Sequence, residues 1–211
     1  MLPDWMINAP TPFSSVLVAN RGEIAVRILK AARESGLKGI AIYSDPDKNS
    51  LHVEVADESV HLPGENLSET YLNMELIISA AKESGAQAIH PGYGFLSENP
   101  KFAEVVEKHG IKFIGPSADL IKNMGNKIEA KRIAKKNGLP VIEGSEGSVK
   151  SYQDAKKICA DIGYPVLIKA SGGGGGKGMK IVKKEEEFET LFSTAKSEAK
   201  KYFGNDEVYI E

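Results

Sequence analysis

The sequence of 211 residues has a single cysteine, Cys159, which excludes an intrachain disulfide and a multi-cysteine metal cluster. No apolar run approaches the roughly 20 residues that span a bilayer. Neither sign of charge dominates, since 27 basic and 29 acidic residues leave a net charge of -2. Composition therefore gives no electrostatic argument for nucleic acid or an anionic membrane as a partner. The four histidines lack the HxH or HExxH spacing of a metal site.

The N-terminal stretch MLPDWMINAPTPF contains no basic residue, so it resembles neither a secretory signal nor a mitochondrial transit peptide. We predict a disordered leader over residues 1–13, and the lone cysteine favours a reducing compartment, the cytoplasm. What is present is a globular composition, 41% hydrophobic and 27% charged, with 21 glycines. Such a chain is expected to bury a core of its own.

Short apolar runs alternate with amphipathic helical patterns through about the first two thirds of the chain. Four of those patterns end in a glycine that can close a helix, at Gly36, Gly85, Gly110 and Gly138. Apolar strands separated by helices indicate a parallel sheet covered on both faces. We predict a doubly wound, Rossmann-like α/β domain over residues 14–125. Its predicted strands are 15–19, 39–43, 88–90 and 112–114, and its predicted helices are 23–34, 73–84 and 101–109.

The pattern then changes, because helical stretches at 117–124 and 127–137 follow one another without a strand. We predict a helical connector over residues 126–140 and a smaller α+β unit over residues 141–211. Two apolar strands of this unit flank a glycine-rich loop, which is typical of an antiparallel hairpin. The predicted strands are 165–170, 179–182 and 208–211, and the predicted helices are 152–162 and 185–203. The chain stops inside the last strand, and we expect it to be truncated.

The most informative segment is the loop SGGGGGKG between the two hairpin strands. Backbone N–H groups approach a phosphate closely only where side chains do not block them, so consecutive glycines suit a flap over a polyphosphate. Lys169, at the end of the entering strand, and Lys177, within the loop, can each supply an ammonium group. A flexible linker is the alternative, but both flanks are apolar strands. Because Gly178 follows the lysine, the segment is not a Walker loop.

The segment ANRGEIAVR follows the first strand, where a dinucleotide-binding protein would carry GxGxxG. It has only one glycine, so a nicotinamide-binding interpretation is disfavoured. Asn20, Arg21 and Glu23 are open to a structural role in the first helical turn or to a subunit contact. On the helix that follows, Ile24, Ile28 and Ala31 are expected on one apolar face.

The segment HPGYGFLSENP, residues 90–100, lies after a parallel strand, at the edge where open α/β sheets place ligands. Its Asn99 and Pro100 form an ordinary helix start. Tyr93, between two glycines, has no such structural reason and is a candidate to face a ligand. Lys127, by spacing alone, would be a solvated charge. Cys159 shares a helical face with apolar residues and is predicted to be a buried core thiol.

Together, VANRGEIAVRI, HPGYGFLSEN and YPVLIKASGGGGGKGM resemble the biotin carboxylase family, the ATP-grasp component of acetyl-CoA, propionyl-CoA and pyruvate carboxylases. The motifs stand in that family's order and approximate spacing, and the resemblance runs from about Phe13 to Glu211. It implies a pre-ATP-grasp domain followed by the ATP-grasp lid. It also implies a ligase reaction, in which ATP phosphorylates bicarbonate to carboxyphosphate and the released CO2 is captured by biotin on a carrier protein.

The resemblance also implies roles for individual residues. Lys127 and Lys169 match positions that contact ATP phosphates, Met179 matches an adenine-packing residue, and Glu211 matches the start of the adenine hinge. Tyr93 matches a position near the biotin site. The implied closing flap consists of Gly172, Gly173, Gly174, Gly175, Gly176, Lys177 and Gly178. The family often has Arg where Lys177 stands, so the charge is kept but bidentate phosphate binding is lost.

The implied cofactors are ATP, Mg2+ and carrier-bound biotin. The implied partners are bicarbonate, the biotin carboxyl carrier protein, a carboxyltransferase and, in the full-length enzyme, a second copy in a homodimer. The family's metal ligands and catalytic residues lie C-terminal to the lid, so we expect none of them in this chain and an inactive fragment. Two alternatives stay open: a non-catalytic dimerisation or folding module that uses helix 23–34, and another ATP-grasp ligase of the carbamoyl phosphate synthetase type.

Overall fold

The computed structural model describes residues 12–172 and 178–211. The chain divides into two compact units, the first ending at Ile121 and the second spanning Lys122–Glu211. Within the described ranges, no helix has the length and apolar character needed to cross a membrane. Most of the predicted leader and residues 173–177 of the predicted flap lie outside the described residues. The domain limits at residues 125 and 140 stay a prediction.

The first unit contains a parallel sheet of five strands. The strands are β1 (Ser15–Val18), β2 (Lys38–Tyr43), β3 (Glu58–His61), β4 (Ala88–His90) and β5 (Lys112–Phe113). The helices are α1 (Gly22–Glu34), α2 (Leu51–Glu54), α3 (Met74–Glu83) and α4 (Pro100–Lys108), with α5 (Ala118–Gly125) at the boundary between the units. The strand order is β3-β2-β1-β4-β5 and every pair is parallel, so the predicted α/β class is confirmed.

Helices cover both faces of this sheet because each inner strand is apolar on both sides. Leu17 and Ile40 pair across β1 and β2 and belong to a buried cluster with residues of α3 and α4. Val18 and Ala41, one residue further along each strand, pack against α1 in a second cluster. Each fully buried Leu or Ile side chain contributes about 1.5–3 kcal/mol, so the central strands anchor the unit.

The strand order places a topological switch point between β1 and β4. From β1 the chain runs outward to β2 and β3, then crosses to β4 and β5 on the other side. The carboxyl ends of β1 and β4 are hydrogen-bonded, since Ala19 N donates to His90 O at 2.9 Å. The segments that follow these two strands therefore meet where open α/β sheets bind ligands.

Two details of the first unit differ from the prediction. Helix α1 buries Ala25, Ile28, Leu29 and Ala32, and Ile24 packs against the same cluster, whereas Ala31 is exposed. The predicted apolar face is therefore confirmed at Ile24 and Ile28 and wrong at Ala31. Helix α2 and strand β3 were not predicted. Strand β3 lies at the sheet edge and alternates half-buried and exposed residues, so it lacks the continuous apolar run that marked the other strands.

The second unit is an antiparallel sheet of three strands covered on one face by helices. Its elements are α6 (Lys127–Lys136), α7 (Tyr152–Ile162), β6 (Val166–Ala170), β7 (Lys180–Val182), α8 (Glu185–Phe203) and β8 (Val208–Ile210). The strand order is β7-β6-β8, with both pairs antiparallel. The predicted hairpin on either side of the glycine loop is thereby confirmed.

The central strand β6 separates a buried face from a more open one. Val166, Ile168 and Ala170 point into a core shared with α7 and α8, while Leu167 and Lys169 alternate with them and remain partly exposed. Cys159 of α7 lies in that core and is 1% exposed, and burial raises the pKa of its thiol. The prediction of a core thiol is confirmed, and the open face carries the candidate site.

Candidate functional site

Lys169 lies on the open face of β6 and forms an ion pair with Glu211. Lys169 Nζ is 2.5 Å from Glu211 Oε2, and the two side chains are 27% and 12% exposed. Glu211 follows β8 and continues its pairing with β6, since Glu211 N donates to Leu167 O at 2.9 Å. The backbone thus fixes the carboxylate beside Lys169. The sheet thus brings into contact two residues that lie 42 positions apart in the sequence.

A second lysine, Lys131 of α6, binds the other oxygen of the same carboxylate. Lys131 Nζ is 3.2 Å from Glu211 Oε1, and Lys131 is 20% exposed. Burial raises the pKa of the Glu211 carboxyl, but the hydrogen bonds from Lys169 and Lys131 outweigh it and leave that pKa below its usual value. Glu211 is therefore an ionised group between two ammonium groups at neutral pH.

The sequence analysis assigned no role to Lys131, although its spacing from Lys127 could have indicated one. It lies four residues after Lys127, so the two lysines share one face of α6. Lys127 N donates to Ser171 O at 3.4 Å, which places the start of α6 beside the residue that enters the glycine loop. The fold thus gathers the start of α6, Lys131, Lys169 and Glu211 on the side of the sheet where Ser171 leads into that loop.

The described ends of the glycine loop fit a segment without side chains. Gly178 has φ +70°, a conformation that L-residues rarely adopt, and a Cβ there would lie 3.4 Å from the Ala170 Cβ. A Cβ at Gly172 would meet nothing within 4 Å. Met179, which follows the loop, is 41% exposed. The flap predicted for Gly173, Gly174, Gly175, Gly176 and Lys177 lies outside the described residues.

Beside Lys131, α6 and residues 141–146 enclose a cavity of about 340 Å3. Apolar side chains of Ile128, Val141 and Ile142 line it together with Tyr209 of β8. Its size and mixed walls are those of a small-molecule pocket. It was not predicted from the sequence, because the residues after α6 carry no motif.

The segment after α6 is held against β8 through a close backbone approach at Gly144. Ser145 N donates to Ile210 O at 2.8 Å, and Ile210 N donates to Ser145 Oγ at 3.0 Å. A Cβ on Gly144 would lie 2.2 Å from Ile210 O and 3.1 Å from Glu211 Cα. Glycine is therefore required beside the residue that holds the two lysines.

Replacing Gly144 by alanine is expected to lower the free energy of unfolding of the second unit by about 2 kcal/mol, because backbone atoms must move to admit the methyl group. The check is urea denaturation followed by circular dichroism. Gly147→Ala is the matched control, since a Cβ there meets nothing within 4 Å. Equal stability of the two variants would refute the close approach.

Tyr93 lies in the first unit, in the loop that follows β4 at the switch point. Its side chain is 61% exposed, and its hydroxyl donates a hydrogen bond to Glu23 Oε1. Its backbone carbonyl accepts from the buried amide of Asn20 at 2.8 Å. Asn99 caps α4 by accepting from Lys101 N and Phe102 N, and Pro100 begins the helix, as the sequence predicts.

Known families match both halves of the chain. Residues 12–121 match the family described as biotin carboxylase, N-terminal domain. Residues 126–211 match carbamoyl-phosphate synthase L chain, ATP binding domain. The chain belongs to the biotin carboxylase family. The resemblance read from the three sequence motifs is thereby confirmed.

Curated biotin carboxylase relatives are similar over nearly the whole chain. A biotin carboxylase of Nostoc is 51% identical over 199 residues, which are 94% of this chain and 44% of that protein. A pyruvate carboxylase of Staphylococcus aureus is 54% identical over 198 residues, 93% of this chain and 17% of that protein. This chain thus spans less than half the length of these relatives.

Solved structures of this family resemble the fold closely. A biotin carboxylase of Campylobacter jejuni, solved as a β-γ-ATP complex, has a TM-score of 0.88 at 47% identity over 94% of this chain and 45% of its own. The biotin carboxylase domain dimer of Hydrogenobacter thermophilus 2-oxoglutarate carboxylase, solved with MgADP, ADP and bicarbonate, has a TM-score of 0.85 at 48% identity. The match covers 94% of this chain and 44% of that one.

Proposed function

We propose that the enzyme carrying this chain is a biotin carboxylase, a ligase that uses ATP to carboxylate carrier-bound biotin with bicarbonate. The observation that carries the proposal is the gathering of Lys169, Lys131 and the start of α6 beside a glycine loop. The lysines of this cluster provide positive charge, and a glycine loop offers backbone N–H donors that no side chain blocks, as the binding of a triphosphate requires.

In the proposed site, Lys127 and Lys169 contact the phosphates of ATP, and the flap residues close over them. Met179 offers an exposed apolar side chain for the adenine ring, and Glu211 begins the segment at its edge. Lysine at position 177 supplies a point charge to the flap. These roles rest on the family's motifs and on the positions of the described residues.

Glu211 has a second role in this proposal, as the resting partner of Lys169. When phosphate oxygens arrive, Lys169 Nζ exchanges one anionic partner for another, so no bare ammonium group has to be buried before ATP binds. Lys131 stays with Glu211 and prevents the released carboxylate from being left unpaired. Lys131 is thus proposed as a positioning residue for the phosphate site.

The described residues contain no group of three His, Cys, Asp or Glu side chains that could hold a metal ion. We assign no step of the reaction to a metal held by these described residues. Mg2+ remains a proposed cofactor of the complete enzyme, with ligands outside this chain.

The proposed partners are bicarbonate, a biotin carboxyl carrier protein, a carboxyltransferase and a second copy of the chain, in a cytoplasmic enzyme. Relatives named as pyruvate and propionyl-CoA carboxylase subunits, and a relative solved as a domain dimer, support these partners. A groove of about 420 Å3 beside α1, lined by Phe13, Ile24 and Ala31, is the surface we propose for the second copy.

The proposal is tested by measuring phosphate release from ATP and transfer of labelled bicarbonate to free biotin by the complete enzyme. We expect ATP cleavage to depend on bicarbonate and label to appear on biotin. A reaction indifferent to biotin would favour another ATP-grasp ligase, of the carbamoyl phosphate synthetase type. No ATP cleavage at all would favour a dimerisation or folding module.

A further inference from the structure

The buried amide of Asn20 holds the loop that follows β4. Asn20 is 4% exposed, and its Nδ2 donates to Pro91 O and to Tyr93 O, both at 2.8 Å. Its Oδ1 accepts from Arg21 N at 2.9 Å. Both amide hydrogens are therefore used on one loop, and only a side chain with two donors can make this pair of bonds.

The loop closes tightly around that amide. Gly92 has φ +66°, and a Cβ there would lie 2.8 Å from Asn20 Nδ2. Gly92 N also donates to His90 Nδ1 at 3.0 Å, and this nitrogen can accept only when the imidazole is neutral. Burial lowers the pKa of His90 and so favours the same neutral form. The backbone of residues 90–93 is thus fixed from both sides.

Arg21 supports the same loop indirectly, through the buried side chains of Asp47 and Tyr71. Its guanidinium binds Asp47 at 2.6 and 2.5 Å, and Tyr71 OH donates to the same carboxylate at 2.7 Å. The Tyr71 ring stacks on Phe95, with centroids 5.4 Å apart and planes 8° apart. Phe95 has φ +42°, a costly conformation for a residue with a side chain, and it needs such support.

Glu23 makes the third contact, by accepting the hydrogen bond of Tyr93 OH. Three residues of the NRGE segment, residues 20–23, therefore reach the loop of residues 91–95 by three independent routes. The side chain held at their end, Tyr93, is mostly exposed and lies at the switch point of the sheet.

We infer that Asn20, Arg21 and Glu23 are positioning residues that fix the Tyr93 loop for binding the ureido ring of biotin, the acceptor of the carboxyl group. The inference rests on the proposed function, because it names the ligand of that loop. It assigns the NRGE segment to the acceptor and not to the nucleotide.

The test is Asn20→Asp in the complete enzyme, assayed with free biotin as the probe. A carboxylate of the same size cannot donate and faces two carbonyl oxygens, so the loop must shift. We expect the KM for biotin to rise on the order of 10-fold while the KM for ATP stays within about twofold. Asn73→Asp is the matched control, since Asn73 caps α3 only by accepting from Leu76 N and the carboxylate keeps that bond.

A second pair of variants keeps the test decisive if Asn20→Asp does not fold. Glu23→Gln retains an acceptor for Tyr93 OH, whereas Glu23→Ala does not, and Glu23 is exposed. We expect the alanine variant alone to raise the KM for biotin, with an unchanged molecular mass by light scattering. Equal biotin KM in both variants, or an equal rise of the KM for ATP, would overturn the inference. A parent enzyme that ignores biotin would instead refute the proposed function.

Discussion

Replacing Lys169 by alanine in the complete enzyme is expected to lower ATP-dependent carboxylation of biotin on the order of 100-fold or more. The reason is the position of the ammonium group, which lies on the open face of β6, shortly before the glycine loop in the sequence. A charge fixed there stabilises the negative charge that develops on a transferred phosphoryl group. The measurement is kcat/KM for ATP, followed by phosphate release.

Lys180→Ala is the matched control for this prediction. Lys180 lies on the neighbouring strand and also binds one carboxylate, Glu198, at 2.6 Å, but its register partner is Ile168 of the buried face. We therefore expect nearly normal turnover in the control. Comparable losses in both lysine variants would mean that the effect comes from the fold and not from phosphate binding.

Replacing Asp47 by asparagine is expected to lower the free energy of unfolding of the first unit by about 3 kcal/mol. The Asp47 side chain is 5% exposed and accepts from Arg21, Tyr71 and Ser44. The asparagine amide carries no negative charge, and its NH2 group would face the donors that now bind the carboxylate. Asp45→Asn, two residues away, is the control because its side chain is 74% exposed and pairs only with a surface histidine.

The same carboxylate predicts how stability depends on pH. Hydrogen bonding from Arg21 outweighs burial and lowers the pKa of Asp47 from 3.8 to about 2. Because the folded pKa lies below the unfolded one, Asp47 contributes about 2 kcal/mol above pH 4, and this is lost as the pH falls from 4 through 2. Urea denaturation across this range should show a shallower acid loss in Asp47→Asn. An identical pH profile in the two proteins would contradict the assignment.

Elements with one dominant local signal could be predicted from the sequence. Strands β1, β2 and β4 contain continuous apolar runs, and α7 and α8 were predicted with the bounds that the structure has. Strand β3 could not be predicted in this way, because its exposed edge lets polar residues alternate with half-buried ones. Ala31 was wrongly placed on the buried face of α1 because Ala31 and Ala32 are equivalent in hydropathy, and only packing selects Ala32.

The contacts of the site could be predicted only in part. The glycine loop and Lys169 carry their chemistry in the sequence itself. The pairing of Glu211 with two lysines depends on the order β7-β6-β8, which no local pattern encodes. The link from Asn20 to Tyr93 spans 73 residues and arises from the neighbouring positions of β1 and β4.

The carboxylate of Glu211 has a consequence for selectivity. It is a tethered competitor whose effective concentration at Lys169 is set by the backbone and reaches the millimolar range or higher. Chloride or a lone inorganic phosphate, each with few contacts to offer, must displace it unaided. In the proposed phosphate site, a ligand that engages the flap, the start of α6 and Lys169 at once would do so, which would favour a nucleoside triphosphate over small anions.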